Sequence, residues 1–365
     1  MKHQNLSTLL LLSLFGCGAK PASEPSAVSV ASVTPSAAAP APSAAPVASV
    51  AAPAPPTEAE KAQKARAKAD ADHQTEVARW TPELHVQAKR LAETSYPTAD
   101  AALKAVLASP HRQPGNAERD KYRHPREMLE FFGFQPTSTV LEYGPGGGWF
   151  TELLAPALAK HGKLFVTSDD PNGPGERAAY GYRLKLLFET SPELYSKVEP
   201  IVLDPKAPKI PFDGKLDTVL VLRELHNLVN DGSIDAWLAE FRHALKPQGV
   251  LGIEDHRALA GADPIKSSKL GYLPEAWAIE KIEAAGFKLS AKSEVNANPK
   301  DTKDYPDGVW TLPPTYRLGD KDRAKYAAIG ESDRFTLRFV KSDVGAAPKA
   351  AAPKAAAPAA VKATP

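Results

Sequence analysis

One stretch constrains this chain more than any other: Val140-Leu141-Glu142-Tyr143-Gly144-Pro145-Gly146-Gly147-Gly148-Trp149-Phe150. A β-prone apolar lead-in runs into Glu142, then into a glycine run, then into an apolar segment rich in helix formers. That order predicts strand, tight loop, helix. Glycine is needed where a loop takes φ > 0 or where a ligand must touch bare backbone. A helix beginning there offers free N–H groups and the positive end of its dipole. Such a loop is a cradle for a nucleotide-type ligand.

Two nucleotide spacings compete. The dinucleotide pattern G-x-G-x-x-G is met by Gly144 and Gly146, but its sixth place holds Trp149. A nicotinamide-dependent dehydrogenase is therefore the weaker reading. The spacing that fits is G-x-G-x-G on Gly144, Gly146 and Gly148, with Glu142 two residues ahead. This resembles the first motif of class I S-adenosylmethionine (SAM) methyltransferases, whose glycine loop lets the backbone approach the methionine part of SAM. A ligand-free glycine turn satisfies the same spacing, so the downstream order of elements decides.

Leu164-Phe165-Val166 reads as the second strand and is followed by Ser168-Asp169-Asp170. An acidic residue about 20 residues past the glycines is where a ribose diol is held. One carboxylate can accept both hydroxyl hydrogen bonds. Asp169 is the first candidate and Asp170 the second. Val198 to Leu203 is the third strand and ends at Asp204. Leu216 to Leu222 is a near-continuous apolar run, as a strand buried on both faces of a parallel sheet requires. It ends in Arg223-Glu224-Leu225-His226-Asn227. Then come a helix from Ser233, its expected cap, to Leu245, and a strand from Val250 to Ile253 ending in Glu254-Asp255-His256-Arg257. A helix from Pro274 to Ala285 and strands at Phe287–Ala291 and Thr336–Val340 complete the series. Strands alternating with helices predict an α/β, doubly wound, Rossmann-like sheet. The long polar segment from Lys292 to Arg334 is either a lid over the site or a peripheral insertion.

Ahead of the glycine loop, Thr81-Pro82 caps and opens a helix, and a short helix from Thr98 to Ala108 follows. Glu58 to Arg79 has helix formers but little apolar stripe, and reads as a solvated stalk. The ends are different in kind. Proline is denser there, beside alanine, with 13 of the 35 prolines in residues 1–57 and 343–365. Leu9 to Phe15 is too short to span a bilayer and has the form of a secretory signal. It runs into Leu14-Phe15-Gly16-Cys17, which resembles a bacterial lipobox and would make Cys17 a lipidated residue. With one cysteine the chain can form no intrachain disulfide. The expected organisation is a leader over 1–17, an Ala/Pro/Ser linker over 18–57, a helical stalk and cap over 58–118, the main domain over 119–342 and a disordered Ala/Pro/Lys tail over 343–365. The expected location is the cell envelope, on a lipid anchor. A formal net charge of +2 gives no strong field toward nucleic acid.

The match is wider than the loop. Arg119-Asp120-Lys121-Tyr122-Arg123-His124-Pro125, Pro145 to Glu152, Arg223 to Asn227, Glu254 to Arg257 and Gly330-Glu331-Ser332-Asp333-Arg334 together resemble a group of exported class I SAM-dependent methyltransferases. The resemblance covers Arg119 to Lys341 and implies SAM as cofactor and a small or envelope-associated acceptor. It also implies pocket-lining roles for Tyr122, Arg123 and His124, and places Asp204 near the adenine amino group. Methyl transfer is an in-line displacement that needs positioning and, for some acceptors, a base. Glu224 and His226 after the fourth strand, and Asp255 and His256 after the fifth, are candidates. His226 leads because imidazole titrates in the useful range, with Glu224 second. The Asn/Asp-Pro-Pro-Tyr/Phe motif of amino-group methylases is absent after the fourth strand. A metal on His226, Asp255 and His256 is a weaker reading, and no metal is expected. Because SAM is made in the cytoplasm, the alternative for an exported chain is a ligand-binding protein of the same fold without catalysis.

Overall fold

A computed structural model describes residues 57–173 and 177–342 of the 365. Cys17 with the lipobox-like leader, the linker up to residue 56 and the tail from residue 343 lie outside the described residues.

The described chain opens with three helices, α1 (Glu58–Arg79), α2 (Pro82–Glu93) and α3 (Ala99–Leu107). Thr57, Thr81 and Thr98 cap them, each accepting a backbone N–H with its side-chain oxygen. The expectation of a solvated α1 is corrected. Ala62 and Ala69 are buried, Arg66 donates to the Pro171 carbonyl at 2.5 Å, and Tyr182 donates to Asp70 at 2.6 Å. Small residues and polar bonds, not an apolar stripe, seat this helix, so hydropathy could not reveal it.

Short helices α4 (Asp120–Arg123) and α5 (Pro125–Phe131) lead to β1 (Thr139–Tyr143). The chain then alternates: α6 (Thr151–Leu158), β2 (Lys163–Ser168), α7 (Ala178–Thr190), α8 (Pro192–Tyr195), β3 (Glu199–Val202) and β4 (Leu216–Leu222). It continues with α9 (Leu225–Asn230), α10 (Ile234–Ala244), β5 (Leu245–His256), α11 (Pro264–Ser268), α12 (Glu275–Ala284) and β6 (Phe287–Ser293). Last come α13 (Arg323–Ile329) and β7 (Arg334–Lys341). Ser233 precedes α10 but makes no capping bond, so that expectation is corrected too.

Seven strands form one sheet in the order β3-β2-β1-β4-β5-β7-β6. All neighbours are parallel except β7, which runs antiparallel to β5 and β6. Alternation sorts the central side chains into two layers. Val140, Val166, Leu220 and Leu222 pack with Leu129 of α5, Leu153 of α6 and Leu187 of α7. Leu141, Val219, Val221 and Ile253 pack with Leu228 of α9, Phe241 of α10 and Ile282 of α12. The fold is a doubly wound, Rossmann-like α/β sheet. Its strand order reverses between β1 and β4, and open α/β sheets bind ligands outside the carboxyl ends of the strands at such a point.

Candidate functional site

At that switch point lies a cavity of about 260 Å³. The loops after β1, β2, β3 and β4 contribute Gly144, Gly146, Asp169, Leu203, Pro205 and Glu224 to its wall. Gly144 has φ 62 and donates its N–H to Thr167 Oγ1 at 2.8 Å. A Cβ there would stand 2.7 Å from Glu224 Cγ. Gly146 has φ 57, and a Cβ there would meet nothing within 4 Å. Its backbone therefore faces open space, as a ligand cradle needs.

Not every residue of the glycine motif reaches the cavity. Gly148 is absent from the wall; its lack of a side chain makes room for α7, since a Cβ would stand 2.2 Å from Leu187 Cδ2. Glu142 is buried and accepts from Thr151 Oγ1 at 2.7 Å. It ties the end of β1 to the start of α6 and does not line the cavity. Burial pushes its carboxyl up to about 7.

Asp169 lines the cavity and pairs with Arg177 Nε at 3.0 Å, while Arg177 Nη1 reaches Asp231 at 3.1 Å. Asp170 turns back to accept the Asn172 N–H at 2.9 Å. Asp204 is exposed and accepts the Lys206 N–H at 2.9 Å, while its neighbours Leu203 and Pro205 form the wall. Both residues serve turns, so neither belongs to the cavity. The same correction holds for Tyr122 and His124. Tyr122 packs its ring on Gly330, and His124 takes φ 42 and bonds Asn296 Oδ1 at 3.1 Å. Of that trio only Arg123 reaches a cavity, and it is the second one. Trp149 does not plug the first cavity. Its ring lies under Arg112 and Arg123, and its indole N–H donates to the Asn116 carbonyl at 3.2 Å.

A second cavity of about 380 Å³ shares Tyr180, Glu224 and Asn227 with the first. One wall carries Arg223, His226 and His256 at the ends of β4 and β5. The opposite wall is Val309, Trp310, Pro313, Pro314, Thr315 and Arg317. The segment between β6 and β7 thus covers the site and is not a peripheral insertion. The sheet explains why. With β7 antiparallel to both neighbours, β6 ends and β7 begins at the carboxyl edge, so their connection has to lie there.

His226 is 3% exposed, at the start of α9. Its Nδ1 lies 2.9 Å from Asp255 Oδ1, and its backbone N–H donates to Asp255 Oδ2 at 2.8 Å. Nε2 has no partner among the described residues and belongs to the ring edge left for the cavity. Burial disfavours the charged ring, but the charge and hydrogen bond of Asp255 outweigh it and raise the pKa above the ordinary value. His256 bonds Ser332 Oγ through Nδ1, and burial holds it well below the ordinary range, hence neutral. Ligand atoms of His226, Asp255 and His256 lie within 4.8 Å of one another. Asp255 Oδ1, however, also accepts the His256 N–H at 2.7 Å. Three N–H donors thus meet on one carboxylate, an arrangement that orients the His226 imidazole.

Glu224 is held by the Asn227 side-chain amide at 2.8 Å and forms part of both walls. Burial pushes its carboxyl from 4.5 up to about 7. Between those values the folded chain keeps a proton that the unfolded chain has released, so this group's contribution to stability falls as pH rises. Glu224→Gln removes the effect. Its stability relative to wild type is expected to climb by about 3 kcal/mol between pH ~4.5 and ~7, read by urea unfolding across that range. A flat difference would place the Glu224 carboxyl near its ordinary value.

No protein-family model matches this chain, and no curated protein matches it either. Solved structures do align with it. A SAM-dependent methyltransferase from Aquifex aeolicus is 19% identical, covering 63% of this chain and 94% of that one, with a TM-score of 0.41. The cyclase SpnF is 15% identical, covering 67% and 97%, with a TM-score of 0.44. A putative sarcosine dimethylglycine methyltransferase from Galdieria sulphuraria is 14% identical, covering 62% and 87%, with a TM-score of 0.42.

Sequence reasoning missed Gly181, Tyr180, Arg177 and Asn227 in the cavity walls. Gly181 had no signal as an isolated helical glycine, yet a Cβ there would stand 2.0 Å from the Asp169 carbonyl oxygen. It is the residue that lets α7 approach the loop carrying Asp169.

Proposed function

We propose that the chain is a SAM-dependent methyltransferase that methylates a hydroxyl acceptor with His226 as general base. The observation that carries this reading is the meeting of two cavities at Glu224, Asn227 and Tyr180. One is floored by the bare glycine backbone, the other by an imidazole oriented by a buried carboxylate.

The residues of the first cavity fit SAM. Gly144 and Gly146 would take the methionine portion against backbone, and Asp169 the ribose hydroxyls, in exchange for an ion pair to a half-exposed arginine. Such an exposed pair is worth no more than about 1 kcal/mol, so its exchange is easy. Leu203, Pro205 and Trp237 supply an apolar berth for adenine. SAM, when bound, supplies an electrophilic methyl on a sulfonium that departs as a neutral thioether. The protein's own work is to aim the acceptor and to take its proton. Asp255 fixes the Nδ1–H tautomer of His226 and steadies the imidazolium, which leaves Nε2 as the proton acceptor. The side chain of Glu224, uncharged below pH about 7, forms the wall between donor and acceptor without a competing negative charge.

Calorimetry of the full chain with S-adenosylhomocysteine tests this directly. Micromolar or tighter binding is expected, with NAD giving no heat. Absence of binding to both SAM and S-adenosylhomocysteine would sink the reading.

A further inference from the structure

The second cavity carries an excess of positive charge that the reaction above does not use. Arg123 and Arg223 line it, and behind it Arg119, Arg123 and Arg334 share two carboxylates, Glu331 and Glu254. Glu331 accepts from Arg119 at 2.8 Å, from Arg123 at 3.1 Å and from Arg334 at 3.0 Å, and Arg334 also pairs with Glu254. Arg223 is left without an ion pair among the described residues. Its Nη1, like Arg123 Nη1, is buried with no hydrogen-bond partner. Arg123 is 4% exposed overall. The nearby Glu142 and Glu224 sit closer to neutrality than surface carboxylates do. Arg223 is partly buried as a residue, but a donor nitrogen buried without a partner costs stability unless something satisfies it.

The arginines are also placed. Arg123 lies over the Trp149 ring, 4.6 Å from its centroid, and Arg223 over Phe150 at 5.8 Å. Arg223 takes φ 60 and donates its N–H to the Glu254 carbonyl at 2.6 Å, a left-handed conformation costly for a side chain of this size. Planar guanidinium groups held on aromatic faces, with donors unspent, match the fork of a carboxylate or phosphate. Both arginines line the cavity that His226 faces.

We propose that the acceptor carries an anionic group, carboxylate or phosphate, held by Arg223 and Arg123, so that its hydroxyl is presented to His226. This rests on the methyltransferase reading above, and names the acceptor class for it.

The test uses the full chain at constant ionic strength, with inorganic phosphate and acetate as probes in calorimetry, with and without S-adenosylhomocysteine. Wild type is expected to bind at least one probe, and Arg223→Gln to weaken that binding tenfold or more. Arg223 holds no ion pair among the described residues, so this variant has none of those to lose; Arg223→Lys, which keeps the charge, is expected to recover part of the affinity. Phosphate binding without acetate binding identifies a phosphate ester as the acceptor class, and the reverse a carboxylate. Equal binding by wild type and Arg223→Gln, or no probe binding, overturns the proposal. So does a loss of S-adenosylhomocysteine affinity in Arg223→Gln with probe binding unchanged, which would assign the arginine to the cofactor's own carboxylate. Probe binding lost in Arg223→Gln, in a chain that binds no S-adenosylhomocysteine, would leave the anion site standing and remove the methyltransferase reading.

Discussion

His226→Ala is expected to lower turnover by about 10²–10⁴-fold while leaving S-adenosylhomocysteine affinity unchanged. The split follows from geometry. His226 lines the second cavity and not the first, so on the proposed function its loss should affect proton removal and spare cofactor binding. The pH profile adds a second readout. Proton abstraction needs neutral imidazole, and Asp255 raises the pKa of His226 above 6.5 despite burial. Wild-type turnover should therefore rise with pH through a group above that value, and the variant should lose this limb. A variant with wild-type turnover would remove His226 from the chemistry. A variant with weakened cofactor affinity would show instead that the ring supports the fold.

How far the sequence revealed this site depends on what kind of signal each residue leaves. The sheet was legible because apolar runs such as Leu216–Leu222 have no other stable home, and strand and helix alternate with clear punctuation. Gly144 and Gly146 were legible because a bare-backbone loop leaves a spacing. His226 and Asp255 could be named from their places at two strand ends, but not as a pair. Their contact depends on β4 and β5 being neighbours, which is a tertiary fact. Asp170, Asp204, Tyr122 and His124 were misplaced because a short polar turn needs the same residue types as a ligand pocket. In each case the side chain satisfies a nearby loop. Gly148 and Glu142 sit in the motif yet support it from behind.

The second large effect is expected at Gly181. In a helix, Gly→Ala ordinarily gains about 1 kcal/mol from propensity. Here the new Cβ would stand 2.0 Å from the Asp169 carbonyl oxygen and 2.8 Å from its carbon, so backbone has to move. Overpacking of this kind costs about 1–3 kcal/mol, enough to reverse the sign. Gly181→Ala is therefore expected to unfold at lower urea than wild type. It should also bind S-adenosylhomocysteine at least tenfold more weakly, because the displaced loop is the one that presents Asp169. A stabilised variant would mean that α7 and that loop are free to separate. A destabilised variant with full affinity would show that Asp169 does not grip the sugar.

The connection between β6 and β7 is fixed to the sheet at both ends, and Val309 is bound within it by the Leu270 carbonyl at 2.9 Å. The segment over the second cavity is thus held by a backbone hydrogen bond to the chain before β6 as well as by its ends. On the other side Tyr180, 49% exposed, borders both chambers. A change at that one ring therefore reaches both chambers at once.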